Sequence, residues 1–257
     1  MNTNLESQTD MMCCTSCGIG QVDEIRLKKC TACYLVRYCS VKCQKEHRPK
    51  HKRACKKRAA ELRDEILFKQ PESTHLGDCP ICFLPLPVAG DKSTIMECCS
   101  KIICTGCDYV NRKRDVMESL EWKCPFCRSP TPNLEDDETE KNLMKRVEAN
   151  DPVAMYQMGS CFSDKGDYKT ASEYWTKAAA LGEVGAHYQL SVMYTEGVGV
   201  EKDKKKGVDH LEQAAIGGDP DARHNLGLIE NDNGRYERAA KHFIIAAKLG
   251  CVIHWMP

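Results

Sequence analysis

The chain has 257 residues, enough for one to three domains, and its 37 Lys plus Arg balance 37 Asp plus Glu, so the molecule as a whole has no pull toward polyanions. No run of about 18 apolar residues occurs, so no membrane span is expected. The opening MNTNLESQTDMM lacks the charged start and apolar segment of a secretory signal, which points to the cytosol or nucleus, where thiols stay reduced.

Residues 1–13 are expected to be disordered, and the chain then becomes rich in cysteine. Of the 18 in the chain, all but Cys161 and Cys251 lie before residue 130. Five C-x-x-C pairs occur, at 14/17, 30/33, 79/82, 104/107 and 124/127. One such pair could be a redox couple, but five, with single Cys and His between them, point to structural zinc. The first set is Cys14, Cys17, Cys30, Cys33, Cys39, Cys43, His51 and Cys55. Eight ligands make two tetrahedral sites, and the final H-x3-C has the spacing that places both groups on one helix face. A segment this short and poor in large apolar residues cannot fold by burial alone, so zinc must supply about 10 kcal/mol or more per site. With every coordination position filled by protein, none is open for catalysis. Cys13 is a spare thiol, because Cys14 gives the two-residue gap, and His47 breaks the spacing that His51 keeps.

This set resembles the MYND zinc finger over residues 14–55, including Tyr38 before Cys39 and Gln44 after Cys43. The resemblance implies interleaved sites: Cys14, Cys17, Cys39 and Cys43 on one zinc, Cys30, Cys33, His51 and Cys55 on the other. MYND fingers commonly bind proline-containing peptides through a surface that includes a Trp after the Gln. Here Arg48 stands at about that place, which weakens the inference. Lys42 to Arg58 is strongly basic, and is read as a solvated helix face rather than a nucleic-acid surface. Residues 56–78 form a helical linker, with Ala59, Leu62 and Ile66 on one stripe and Pro71 as its stop.

The second set is Cys79, Cys82, Cys98, Cys99, Cys104, Cys107, Cys124 and Cys127. It resembles an all-cysteine RING finger over 79–130. The resemblance implies a cross-brace, with Cys79, Cys82, Cys104 and Cys107 on one zinc and Cys98, Cys99, Cys124 and Cys127 on the other, so that the chain carries four zinc ions. RING fingers normally leave one residue between the third and fourth ligands, whereas Cys98 and Cys99 are adjacent. Thiolate suits a sulfur-rich zinc site, which favours Cys98 as the third ligand; Glu97 is the alternative. RING ligases do no covalent chemistry and hold a ubiquitin-charged conjugating enzyme in a reactive pose. The positions that match the family's contact residues are Ile81, Trp122, Pro125 and Arg128, and the competing role for Trp122 is a buried core residue.

SPTPNLEDDETE introduces an acidic linker, 131–146. From 147 to 250 the chain repeats itself. Ala154, Ala186 and Ala222 precede Met158, Leu190 and Leu226 by four residues, and Gly159, Ser191 and Gly227 come directly after. Ala178-Ala179, Ala214-Ala215 and Ala246-Ala247 then lead to Gly182, Gly218 and Gly250. Periods of this size predict stacked helical hairpins, with each final glycine in a left-handed stop. The pattern resembles the Sel-one-like subclass of tetratricopeptide repeats, which implies a protein-binding scaffold. In the tail, 251–257, Val252, Ile253 and Trp255 are expected to cap the last hairpin or leave an exposed edge.

The expected fold is two small zinc-stabilised α+β fingers followed by an all-α helical-repeat solenoid. The favoured function is a zinc-binding protein-interaction protein of the RING-ligase kind, with a conjugating enzyme and a substrate or peptide as partners and neither nucleic acid nor membrane. The alternative is a non-enzymatic adaptor, for instance in transcriptional regulation, with both fingers structural. MYND fingers also occur inside methyltransferases, but nothing here resembles their methyl-donor-binding part.

Overall fold

A computed structural model describes residues 13–21, 25–88, 92–130 and 138–251. It divides into two compact units, Met1–Leu67 and Phe68–Pro257. No helix among the described residues is long and apolar enough to cross a membrane. The expected disordered residues 1–12 and the tail residues Val252, Ile253 and Trp255 lie outside the described residues. Cys13, placed in the disordered stretch by sequence, instead forms an antiparallel bridge with Gly20.

In the first unit, strands β1 (Lys28–Lys29) and β2 (Arg37–Tyr38) pair antiparallel, and helix α1 (Val41–Leu67) comes next. The finger and the linker helix are therefore one continuous helix, with Pro49 inside it. The expected apolar stripe is only partly realised. Ala59 and Leu62 are half-buried, but Ile66 is 58% exposed, and the buried residue at this end is Leu67. Cys14, Cys30, Cys33, Cys43 and Tyr38 make the core, so sulfur occupies the place that aliphatic side chains fill in a larger domain.

The second unit begins with a finger built on one hairpin, β3 (Ser93–Met96) and β4 (Lys101–Cys104), in register Ser93↔Cys104 to Met96↔Lys101. Helix α2 (Thr105–Met117) continues directly from it, with Cys104 as its N-cap. Leu86, Met96 and Ile103 pack with Cys79 and Cys124 beneath the hairpin.

Helices α3 (Glu138–Glu148), α4 (Pro152–Asp164), α5 (Tyr168–Ala180), α6 (Val184–Glu196), α7 (Lys204–Ile216), α8 (Pro220–Asp232) and α9 (Tyr236–Lys248) complete the chain. The six helices α4 to α9 have 13 residues each and form three hairpins. The middle repeat is the longest, and its extra residues lie in the α6–α7 turn. Gly182, Gly218 and Gly250 all have positive φ, at +90°, +94° and +85°, the left-handed stops that the repeat pattern predicts. Close approach explains the small residue in each first helix. A Cβ on Gly159 would lie 2.5 Å from Trp175 Nε1, and one on Gly227 would lie 2.5 Å from the Phe243 ring.

A further expectation is corrected. Most of the predicted acidic linker is helix α3. Its Leu143 is buried against Ala154 and Met158 of α4, and Val147 packs on the same cluster. The apolar stripe of this segment is short and set among charges, and α4 covers it.

Candidate metal centres

Four of the C-x-x-C pairs are built as the same tight loop. The residue after the second cysteine takes positive φ: Gly18 at 75°, Tyr34 at 58°, Phe83 at 58° and Arg128 at 61°. Its N–H then donates to the carbonyl of the first cysteine at 2.8, 2.9, 2.8 and 3.1 Å respectively. That turn folds both sulfurs to one side and leaves the next side chain outside. Three of the four residues are not glycine, so the loop holds a backbone conformation that costs about 1–2 kcal/mol relative to the ordinary regions. The pair Cys104/Cys107 is made differently, by the first turn of α2, where the Cys107 N–H donates to Cys104 Sγ at 3.4 Å.

The loops bring the ligand atoms into four quartets, in each of which all four lie within 4.8 Å of one another. In the first unit they are Cys14, Cys17, Cys39 and Cys43, and Cys30, Cys33, His51 and Cys55. In the second finger they are Cys79, Cys82, Cys104 and Cys107, and Cys98, Cys99, Cys124 and Cys127. A tetrahedral zinc with bonds of about 2.3 Å to sulfur sets its ligands about 3.8 Å apart. The observed separations fit: 3.5 Å for Cys17–Cys39, 3.7 Å for Cys30–Cys55, 3.8 Å for Cys82–Cys104 and 3.6 Å for Cys99–Cys124. All 18 cysteines are free thiols, so no disulfide competes for them. Each quartet can hold one zinc ion. Both fingers interleave their quartets along the chain, so neither site can be lost without loosening the other.

The adjacent cysteines are explained by the β3–β4 turn. Glu97, Cys98, Cys99 and Ser100 form it, with Ser100 at φ +56° and the Cys99 and Ser100 N–H groups both donating to Met96 O at 3.0 and 2.7 Å. A reversing chain can turn two successive side chains toward one point, which an extended strand cannot. Cys98 Sγ lies 3.3 Å from Cys127 Sγ, and Glu97 is outside the quartet. His51 Nε2 lies 3.2 Å from Cys33 Sγ. His47 stays out of that quartet: its Nδ1 is 3.0 Å from the Tyr38 hydroxyl, and its ring stacks on His51 at 5.7 Å. It braces the ligand ring instead of replacing it.

Electrostatics within the quartets favour a cation. Burial raises the Cys14 thiol, but the backbone amides of Cys17, Cys39 and Ser16 outweigh it and bring the group down to about 6. Cys30, Cys79 and Cys127 fall to about 6 by the same opposition of burial and hydrogen bonding. Their neighbours go the other way. Burial, then the adjacent sulfurs, push Cys55 and Cys107 up to about 12, and Cys98 is raised by burial and by Cys127. One thiolate per quartet forms readily and opposes the next; a divalent metal removes that opposition.

Of the residues expected to meet a conjugating enzyme, Ile81, Trp122 and Arg128 are exposed. Ile81 is 39% and Trp122 46% accessible, with Arg112 stacked 5.3 Å over the Trp122 ring. Trp122 is thus not a core residue. It shares a narrow crevice with the half-buried Pro125, while Arg128 projects from its loop. Sequence reading missed Phe83, 77% exposed, and Leu84 beside it. The signal was available: Phe83 comes just after a C-x-x-C pair, the position the loop turns outward. In the first unit, a cleft of about 200 Å³ beside β1 is lined by Lys28, Lys29, Tyr38 and Gln44.

Comparison with known proteins agrees with this geometry. Residues 14–55 match the MYND finger, and residues 152–183, 184–219 and 220–251 each match the Sel1 repeat. Two similar solved structures are a protective antigen of uropathogenic Escherichia coli displaying an SLR fold and a Sel1 repeat protein from Oxalobacter formigenes. The first is 28% identical, with 44% of this chain and 26% of that one covered and a TM-score of 0.42. The second is 23% identical, with 56% and 57% covered and a TM-score of 0.42. The chain therefore spans less than two thirds of either relative. The chain carries a MYND finger at residues 14–55, three Sel1 repeats across 152–251 and four quartets that can each hold a zinc ion.

Proposed function

We propose that the protein is a RING-type ubiquitin ligase of the cytosol or nucleus. In this reading the second finger holds a ubiquitin-charged conjugating enzyme and the repeats hold the substrate. The observation that carries the reading is the exposure of Ile81 and Trp122 on a cross-braced, sulfur-lined frame. Large apolar side chains kept in water by a rigid loop are poor for stability and good for docking. Phe83 and Leu84 extend the apolar surface beside Ile81, and Arg128 supplies a fixed cation for the ubiquitin.

No side chain here needs to react. The finger's contribution is orientation: holding the charged enzyme in one pose raises the fraction of productive encounters with an acceptor amine. The test is ubiquitin transfer by the zinc-loaded chain with a panel of conjugating enzymes, comparing wild type with Ile81→Ala. Activity with at least one enzyme is expected. Loss of a central apolar anchor, worth about 2 kcal/mol, is expected to reduce it by about thirtyfold. A wild type inactive across the panel, or an Ile81→Ala variant of equal activity, refutes the reading and leaves a non-enzymatic adaptor.

A further inference from the structure

The three repeats present one helix face three times. Asp151, Glu183 and Asp219 are the N-caps of α4, α6 and α8, each accepting hydrogen bonds from the first-turn amides. Five residues after its cap, each helix carries an aromatic residue: Tyr156, Tyr188 and His224. Six after it, each carries an amide: Gln157, Gln189 and Asn225. Asn225 Nδ2 donates to the Tyr188 hydroxyl at 3.3 Å, so the ladder is joined across repeats.

This face is not open to solvent on all sides. The second finger stands over it and leaves a cleft of about 750 Å³, within the range of enclosed ligand sites. Tyr156, Gln157, Tyr188 and Gln189 line the repeat side, and Ser93 and Ile95 of β3 line the finger side. The charge in it is one-sided. Asp78, Glu183, Asp219 and Asp221 line the cleft, against Lys101 and His75.

The three caps differ in how that charge is met. Asp151 is held by Arg146 at 2.5 Å. Asp219 has His75 at 4.0 Å, and Glu183 makes no ion pair with Lys or Arg among the described residues. Burial pushes the Glu183 and Asp219 carboxyls up, and His75 is the cation that acts on both.

We infer that this cleft is a docking site for an extended segment of a partner protein that carries lysine or arginine. The amides of Gln157 and Gln189 suit the alternating N–H and C=O of an extended backbone. The tyrosine faces suit the alkyl stems and cationic heads of long basic side chains. The carboxylates select against acidic segments. As a substrate site this rests on the ligase reading; as a peptide site it stands without it.

The test uses the full, zinc-loaded chain and fluorescence anisotropy of two labelled peptides, one alternating lysine with valine and one alternating glutamate with valine. The variant Asp78→Lys/Asp221→Lys is chosen because neither residue caps a helix, and Glu173→Lys on the exposed side of α5 is the control. Binding of the lysine peptide alone is expected, about tenfold or more weaker in the double variant and within about twofold of wild type in the control. Equal binding of both peptides, no binding of the lysine peptide, or equal effects of the double variant and the control overturn the inference. Ile81→Ala separates the two readings, because it is expected to reduce ubiquitin transfer by about thirtyfold and leave peptide binding unchanged. A chain that binds the lysine peptide but transfers no ubiquitin refutes the ligase reading and not the docking site.

Discussion

Gly218 joins the second finger to the repeats, and its substitution by alanine isolates that joint. The His75 N–H donates to Gly218 O at 3.3 Å, and a Cβ on Gly218 would lie 2.9 Å from Ser73 O and 3.3 Å from His75 N. Gly182 is the matched control. Its φ of +90° is close to the +94° of Gly218, it stands at the same place in the preceding repeat, and nothing lies within 4 Å of its would-be Cβ. Gly182→Ala therefore costs only the backbone strain, about 1–2 kcal/mol. Gly218→Ala costs the same strain plus displacement of residues 73–75. A weakened hydrogen bond of about 1 kcal/mol and a backbone overlap of about 1 kcal/mol or more make that excess about 2 kcal/mol. For a unit of this size, where each kcal/mol moves the midpoint by about 2–4 °C, Gly218→Ala is expected to melt about 4–8 °C below Gly182→Ala. Thermal melts of the two zinc-loaded variants, with proteolysis between residues 68 and 78 as a second readout, measure the difference. Equal melting points and equal cleavage would refute the seating of the finger's leading segment on the α7–α8 turn.

Other consequences are as specific. Cys98→Ser and Cys99→Ser are each expected to lower the zinc content by one ion, and Glu97→Gln to leave it unchanged, by elemental analysis of the purified chain. Gly159→Ala is expected to destabilise the first repeat by about 1–3 kcal/mol in urea unfolding, because the Trp175 ring occupies the space a methyl would take. Acid is expected to release zinc. Cys14, Cys30, Cys79 and Cys127 have lowered pKa values near 6, so the stabilisation from their thiolates is present above the ordinary thiol range and is lost as pH falls through about 6. A zinc-sensitive dye tracked from neutral to acid pH reads this, and zinc fully retained down to about pH 3 would contradict it.

The parts legible in the sequence are those fixed by local spacing. Four of the five C-x-x-C pairs close the same tight loop, so the ligand residues could be read from their intervals, while their division into quartets came from the resemblance to MYND and RING fingers. The repeats were legible because Gly159, Ser191 and Gly227 sit where two helices touch, and that contact recurs in each hairpin. What was hidden depends on partners distant in sequence. Helix α3 reads as an acidic linker until Leu143 finds Ala154 and Met158 on α4. The seat of His75 on Gly218 has no periodic signature at all. The row of acidic caps at Asp151, Glu183 and Asp219 was readable from the repeat register, but its significance came only when the finger enclosed the face beside it. Ile66 shows the limit of a stripe argument on a highly charged helix, where several faces are nearly equivalent.

Native mass spectrometry of the full chain tests the two-finger architecture most directly. Four zinc ions per chain are expected in the wild type, three in Cys99→Ser, and none after exhaustive treatment with a strong chelator at acid pH. A wild type that saturates at two would leave two of the four quartets empty and contradict the two-finger, four-site architecture.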